Sequence, residues 1–332
     1  MAKVQVGRTG DFNVNRTCNE GRLQREVAMM NFRKATRRPV WAAAAIVLAV
    51  TLLGTAGSAQ AASERRETLS GIASGEDTRS ITLLPGEVVL MRGFDFRYLN
   101  GDHHIRSIRV LPETDTRLSI RFDDRNGDDP MEYEASLTKV TLAGVIPPPT
   151  LHRHCSGGTC TFPLQAPPNR DYIFVLRGFE LFFAIEDIGF PPFEGNCNFL
   201  DGCDHHLSVV GIEPGDGNIA VTYQDQNGDD DYLVDIAYSY VPRSLVQGFG
   251  ISTGTVDDAG TDHKNIDTSG TVAITGFRIG YVPVPGRTPP LLDNHILKFG
   301  YNIPRDGGID VTFGDNKPDT KWEHRLTFVR FK

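Results

Sequence analysis

Residues 102–129 read DHHIRSIRVLPETDTRLSIRFDDRNGDD; the pattern returns as DHHLSVVGIEPGDGNIAVTYQDQNGDD at 204–230 and, more loosely, as DNHILKFGYNIPRDGGIDVTFGDNKPD at 293–319. Each copy is two runs of alternating apolar and polar residues around a turn, which predicts a β-hairpin. The turns, Pro112-Glu113-Thr114-Asp115, Pro214-Gly215-Asp216-Gly217 and Pro304-Arg305-Asp306-Gly307, are built from residues that pre-set or tolerate turn dihedrals. The midpoint of His104 and Asp124 is residue 114. That of His206 and Asp225 falls between 215 and 216, and that of His295 and Asp315 is 305. Residues equidistant from a hairpin turn face one another, with Cβ atoms about 4.5–5.5 Å apart. Each copy is therefore expected to close its open end with a His–Asp clip. Asp102, Asp204 and Asp293 lie two positions before the histidines, on the same face of the strand.

Around each hairpin the same companions recur. A strand with a Gly-Phe step precedes it, at Arg92-Gly93-Phe94, Arg177-Gly178-Phe179 and Thr275-Gly276-Phe277. There the Phe is expected to enter the core and the Gly to mark a bulge or a close backbone approach. A closing strand follows, at Met131–Val140, Tyr232–Val241 and Lys321–Phe331. No amphipathic helical period lies between them. The reading is an all-β chain of three tandem four-stranded antiparallel modules, packed as small sandwiches or about a pseudo-threefold axis. The boundaries are 1–61 for an N-terminal extension and signal peptide, then 62–145, 146–247 and 248–332 for the three repeats. Ser63 to Asp77 reads as a polar, mobile lead-in, and Ser80–Leu84 as a short strand.

The N-terminal segment carries the signature of export. Arg33, Lys34, Arg37 and Arg38 precede an apolar run from Val40 to Leu53, and Ala59-Gln60-Ala61 supplies a small-x-small cleavage site. Loss of 1–61 removes nine basic and three acidic residues from totals of 34 and 42, leaving 25 against 39, a net charge of −14. So acidic a chain makes a poor partner for nucleic acid or anionic membrane. The expected localisation is periplasmic or secreted, with no membrane span in the mature chain. Four cysteines remain in two close pairs, Cys155 with Cys160 and Cys197 with Cys203, and in an exported chain these read as two local disulfides. A zinc site from His152, His154, Cys155 and Cys160 is the rival reading.

The hairpins run into Asp124-Arg125-Asn126-Gly127-Asp128 and Asp225-Gln226-Asn227-Gly228-Asp229. Oxygen side chains at alternate positions suit calcium, which takes about 6–8 oxygen ligands. The candidate metal ligands are Asp124, Asn126, Asp128, Asp225, Asn227 and Asp229. These stretches resemble the start of an EF-hand loop over about six residues, with Gly at the fourth position instead of the sixth. The same Asn-Gly steps also read as tight turns. Two long inserts, Ile185 to Gly202 and Val282 to Leu292, lie on the His–Asp end. Phe190, Phe193, Tyr232 and Trp322 are candidate ligand-stacking residues, with core packing as their alternative. No nucleophile elbow, phosphate loop, dinucleotide fingerprint or HExxH helix is present. The sequence points to an exported, non-catalytic β-repeat protein that binds a glycan or other surface ligand. An extracytoplasmic metal-dependent hydrolase and a structural envelope component are the alternatives.

Overall fold

The structure, a computed structural model, describes residues 64–101, 105–124, 129–165, 167, 171–183, 207–225, 231–257, 260–268, 270–282, 296–304, 307–314 and 321–332. The proposed signal segment, both inserts apart from Val282, and the second cysteine pair lie outside these residues. The described chain is all-β. Its only helical element is a single 3-10 turn at Arg243–Leu245, and no described helix is long and apolar enough to cross a membrane.

Repeat 1 forms β1 (Glu64–Ser74), β2 (Glu76–Ser80), β3 (Glu87–Tyr98), β4 (Ile105–Thr114), β5 (Arg117–Asp124) and β6 (Pro130–Thr141). Repeat 2 forms β7 (Leu151–Ser156), β8 (Thr159–Pro163), β9 (Tyr172–Phe183), β10 (Val209–Pro214), β11 (Asn218–Gln224) and β12 (Asp231–Pro242). Repeat 3 forms β13 (Val246–Val256), β14 (Gly260–Lys264), β15 (Val272–Tyr281), β16 (Lys298–Asn302), β17 (Ile309–Gly314) and β18 (Trp322–Phe331). Each repeat thus supplies six strands, the four read from sequence and a leading pair. In repeat 1 that pair occupies the stretch expected to be mobile. β1 runs antiparallel to β6 from Glu64 opposite Val140 to Ser74 opposite Pro130. Its outward row is Thr68, Ser70, Ile72 and Ser74, while Leu69 and Ala73 pack on the core. With Ile72 outward and Gly71 inward between Leu69 and Ala73, the strand shows no clean apolar alternation for a hydrophobicity reading to catch. The expected strand at 80–84 is absent beyond Ser80, where β2 ends.

The strands form three antiparallel six-stranded sheets. Sheet 1 runs β1-β6-β3-β16-β17-β14, sheet 2 runs β2-β5-β4-β9-β12-β7, and sheet 3 runs β13-β18-β15-β10-β11-β8. No repeat closes on itself. The hairpin of repeat 1 joins the Gly-Phe strand of repeat 2, that of repeat 2 joins repeat 3, and that of repeat 3 returns to repeat 1. This cyclic exchange makes the packing pseudo-threefold and not a row of sandwiches.

The Gly-Phe step explains how the exchange is held. In all three repeats the ladder to the closing strand skips one residue just before the glycine, at Arg92, Arg177 and Thr275. Such an extra residue bends the strand. The glycine then lets the neighbouring repeat's hairpin come close. A Cβ at Gly93 would lie 2.6 Å from Tyr301 O, one at Gly178 2.4 Å from Val110 O, and one at Gly276 2.6 Å from Ile212 O. Next in each chain, Phe94, Phe179 and Phe277 turn inward and meet, with ring centroids 5.2, 5.3 and 5.2 Å apart and tilted or edge-on. All three are buried. Full burial of a Phe contributes about 1.5–3 kcal/mol, and each tilted aromatic pair adds about 0.5–1.5 kcal/mol. A smaller cluster repeats the pattern, taking Leu90, Val175 and Ala273 from the Gly-Phe strands and Val140, Val241, Val329 and Phe331 from the closing strands.

Candidate functional site

The open ends of the hairpins carry the first candidate. Asp124 and Asp225 are both buried, 4% and 2% exposed, as a clip would require. His104, His206, His295, Asp102, Asp204, Asp293 and Asp315 lie outside the described residues. The ladders themselves differ from the midpoint rule. Val110 faces Ile120, Ile212 faces Val221 and Tyr301 faces Val311, so each hairpin is centred one residue later than expected. At the open end of repeat 1 the ladder skips Arg106, so Asp124 faces Ile105. The other repeats carry the same extra residue: Ser208 N–H donates to Gln224 O and Leu297 N–H to Gly314 O, carbonyls whose residues already face Val209 and Lys298. The bulge compensates part of the shift. The residue after each histidine, Ile105, Leu207 or Ile296, is buried to within 1%.

The other sequence candidates divide. Tyr232 and Trp322 are completely buried, so they pack in the core and offer no stacking face to solvent. The Tyr232 hydroxyl donates to Gly158 O at 3.0 Å and Val221 O at 2.8 Å. They sit at equivalent inward positions of β12 and β18. Phe190, Phe193, Asn126, Asp128, Asn227 and Asp229 lie outside the described residues. The Cys155–Cys160 disulfide is present, with Cα atoms 5.9 Å apart, and ties β7 to β8. It takes the sulfurs the zinc reading needed. His152 Nδ1 is instead 2.6 Å from Asp235 Oδ1 and His154 Nε2 3.1 Å from Asp231 Oδ2. Among the described residues no three His, Cys, Asp or Glu side chains converge in a metal-binding group. Cross-strand His–Asp pairs therefore occur between β7 and β12 and, at 2.6 Å, between His263 and Asp310, while the histidines of the predicted clips lie outside the described residues.

What the fold does bring together is a cross-strand row on the outside of each sheet. On sheet 2 it runs Asp235, Glu180, Arg109, Arg121, Glu76. It is closed by ion pairs. Arg109 reaches Glu180 Oε2 at 2.6 Å, Ser119 Oγ at 3.0 Å and Glu76 Oε1 at 3.2 Å, and Arg121 bridges Glu76 and Glu180. Burial pushes the Glu76 carboxyl up, but hydrogen bonds from Arg121 and Ser119 outweigh this and hold it below its ordinary value. On sheet 3 the row is Arg325, Arg278, Gly211, Thr222, Thr159, and Glu213 sits beside both arginines. On sheet 1 it is Glu134, Asp95, Gly300, Thr312, Thr261. Gly300 stands where sheet 2 has Arg109. Asp95 thus lies beside Glu134 with no guanidinium across the strand. Burial first, then Glu134 and Glu132, push its carboxyl up to about 7, with Lys298 pulling the other way. Its Oδ1 is buried without a hydrogen-bond partner.

Next to this row the Arg92 bulge opens a cleft of about 140 Å³, lined by Arg66, Glu67, Thr68, Arg92, Glu134, Ser136, Leu137 and Asn302 to Pro304. Glu134 Oε1 accepts from Asn302 Nδ2 at 3.0 Å and from Ser136 Oγ at 3.2 Å. Arg92 forms the floor, donating from Nε to Ile303 O at 2.9 Å and from Nη2 to Pro304 O at 3.0 Å. Arg66 is fixed at the rim by Glu64 Oε1 and Gly270 O, both at 2.6 Å. Burial raises the Glu64 carboxyl, but hydrogen bonds from Arg66 and Thr271 prevail and keep it ionised below its usual range. A smaller cleft of about 80 Å³ occupies the pseudo-equivalent place on sheet 3, between Glu213, Pro214, Gly276 and Arg325. Both lie at the turn ends of the hairpins, away from the predicted clip. The lining mixes guanidinium, carboxylate, amide and hydroxyl groups on rigid strands, and it contains neither a histidine nor a cysteine. That set makes directional hydrogen bonds.

The sequence reading missed Asp95, Glu134, Ser136 and Asn302. A local cue existed, since Asp95 interrupts the apolar pair Phe94 and Phe96. The decisive fact, that β3 is flanked by β6 on one side and by β16 of another repeat on the other, has no local signature. No protein-family model matches this chain, and no curated protein matches it.

Proposed function

We propose that this chain is an exported, non-catalytic binding protein whose ligand site is the cleft beside Gly93, and that its ligand is a polyhydroxylated group such as the end of a glycan. The observation that carries this reading is the convergence of Glu134, Ser136, Asn302 and Arg66 around a dent about 140 Å³ in volume on a fixed sheet. A sugar hydroxyl both donates and accepts, so it is matched by carboxylate and amide groups set side by side. A small, pre-formed polar dent binds a terminal residue weakly, and weak sites gain strength when several act together. The equivalent cleft on sheet 3 provides a second place on the same chain. Calcium belongs to the same proposal as a structural ion near Asp124 and Asp225, the buried carboxylates from which the Asn-Gly stretches depart.

A glycan array read with the mature chain, followed by NMR titration of the leading hit, tests the ligand. The expected result is a millimolar to micromolar response that moves Asn302 and Glu134 signals and is lost in Asn302→Ala. Silence across the array, or a response that survives Asn302→Ala unchanged, contradicts the site. For calcium, the expected result is a rise in melting temperature on addition and a fall with chelator. An unchanged melt removes the ion from the proposal.

A further inference from the structure

Six strands form the free margins of the three sheets, and five of them are guarded against pairing with another chain. β2, β8 and β14 are five residues long and carry charges or end in proline, as EDTRS, TCTFP and GTDHK. β7 presents His152, Arg153 and His154 and follows Pro147-Pro148-Pro149. β1, the counterpart of β13 in repeat 1, opens with Glu64-Arg65-Arg66-Glu67. Short length, charge and proline are the usual defences of a sheet edge. β13 has none of them. It reads VQGFGISTGTV, eleven residues without a charge or a proline.

One side of β13 is paired to β18 along its length apart from a bulge at Gln247, and among the described residues no strand pairs with the other side. Its outward row is Gln247, Phe249, Ile251, Thr253 and Thr255, all exposed. Phe249 is 53% and Ile251 60% exposed, two large apolar side chains adjacent on one face. A two-residue spacing with β-branched and aromatic side chains is the composition that favours strand pairing.

We propose that β13 is a self-association edge, and that its occupant is β13 of a second copy, paired antiparallel about Ile251. The sequence is complementary to itself in that register. Ile251 meets Ile251, Phe249 meets Thr253, Gln247 meets Thr255, and Gly248 meets Gly254. An aromatic opposite a β-branched residue is a favourable cross-strand pair, contributing about 0.2–1 kcal/mol. The chain as a whole carries a charge of −8, yet no charge meets a like charge along this line. The arrangement is a closed two-fold contact, which stops at a dimer and joins two six-stranded sheets into one. One strand from each copy buries a small area, so the dimer is expected to be concentration-dependent.

Sedimentation equilibrium of the full chain over about a hundredfold concentration range tests this, with amide hydrogen exchange read on 247–255. The expected result is a twofold rise in mass with concentration, accompanied by added protection of alternate β13 amides. Ile251→Lys, which opposes two like charges at the self-paired position, should leave a monomer with an unchanged melting temperature. Thr253→Lys should weaken the dimer at least tenfold, and Ile72→Lys on the counterpart edge should leave it intact. A chain that stays monomeric throughout, a dimer that survives both β13 variants, or growth beyond a dimer overturns the proposal.

Discussion

Sheets 1 and 2 place side chains on the same cross-strand row and fill it in opposite ways. On sheet 2 two arginines and two glutamates, Arg109, Arg121, Glu76 and Glu180, satisfy one another. On sheet 1 the same positions hold Asp95, Gly300, Thr312 and Thr261, with Glu134 alongside. The backbone pairing is shared, so the fold does not require either solution. A closed network fixes a surface and leaves little to bind. An acidic pair left without its guanidinium keeps unspent hydrogen-bonding capacity at Asp95 Oδ1, and its other member, Glu134, lines the cleft that the Arg92 bulge opens.

Three experiments break or sharpen that contrast. The largest effect is expected on the closed row. Arg109→Ala leaves Glu180, whose side chain is 10% exposed, without its closest cation. Removing one partner of a buried pair costs about 3–5 kcal/mol, and the partial exposure of Arg109 and the help of Arg121 bring the expectation to about 3 kcal/mol, read by denaturant melts. The next effect has the opposite sign. Asp95 is held near 7 in the folded chain, above its unfolded value of 3.8. The folded state therefore binds the proton more tightly, so the stability linked to Asp95 is full below about pH 4 and is lost as pH rises through about 7. Asp95→Asn should be more stable than the parent by about 2 kcal/mol at pH 8, after allowing for the part of the side chain that solvent reaches, and no more stable at pH 4. Melts at the two pH values check it. The smallest effect is that of Asn302→Ala, which removes one donor to Glu134 and should cost about 1 kcal/mol in the same melts.

His324 bends the pH profile the other way. Its ring is fully covered, and burial lowers its pKa although Asp262 Oδ2 accepts from Nε2 at 2.7 Å. Stability linked to it is present above the unfolded value of about 6.5 and is lost as pH falls below that. Across the acid range the two contributions therefore oppose one another, and neither changes stability further above about pH 7. In Asp95→Asn that opposition is removed, so the acid decline, to which His324 and the lowered carboxyls of Glu64 and Glu76 contribute, should be steeper than in the parent.

The repeats, the hairpins and the inward Gly-Phe step could be read from the chain because each is local: a period of two, a turn composition and a short motif. Gly93, Gly178 and Gly276 read correctly both as bulge markers and as points of close approach, since one residue type serves both needs. The turn centres missed by one residue because Pro112 and Pro214 lie in or at the end of the flanking strands, and the loop proper begins after them. The bulge at Arg106 left no trace in composition. The leading strands escaped because β1 sets Gly71 and Ala73 beside Leu69 on its inner face and Ile72 on its outer one, while β2 alternates Asp77 and Arg79 with Glu76, Thr78 and Ser80, so neither shows an apolar face. The candidate site itself was invisible for a topological reason. Asp95 and Gly300 are neighbours only because a hairpin of the third repeat inserts beside the first, and nothing within either segment announces that partner.

Titration of the Asp95 carboxyl by carbon-detected NMR addresses the open row most directly. The account predicts a midpoint near 7, falling when a ligand cation or donor occupies the place that Arg109 fills on sheet 2. A midpoint near 4 in the free chain would mean that Asp95 is already satisfied, and the contrast between the two sheets would disappear.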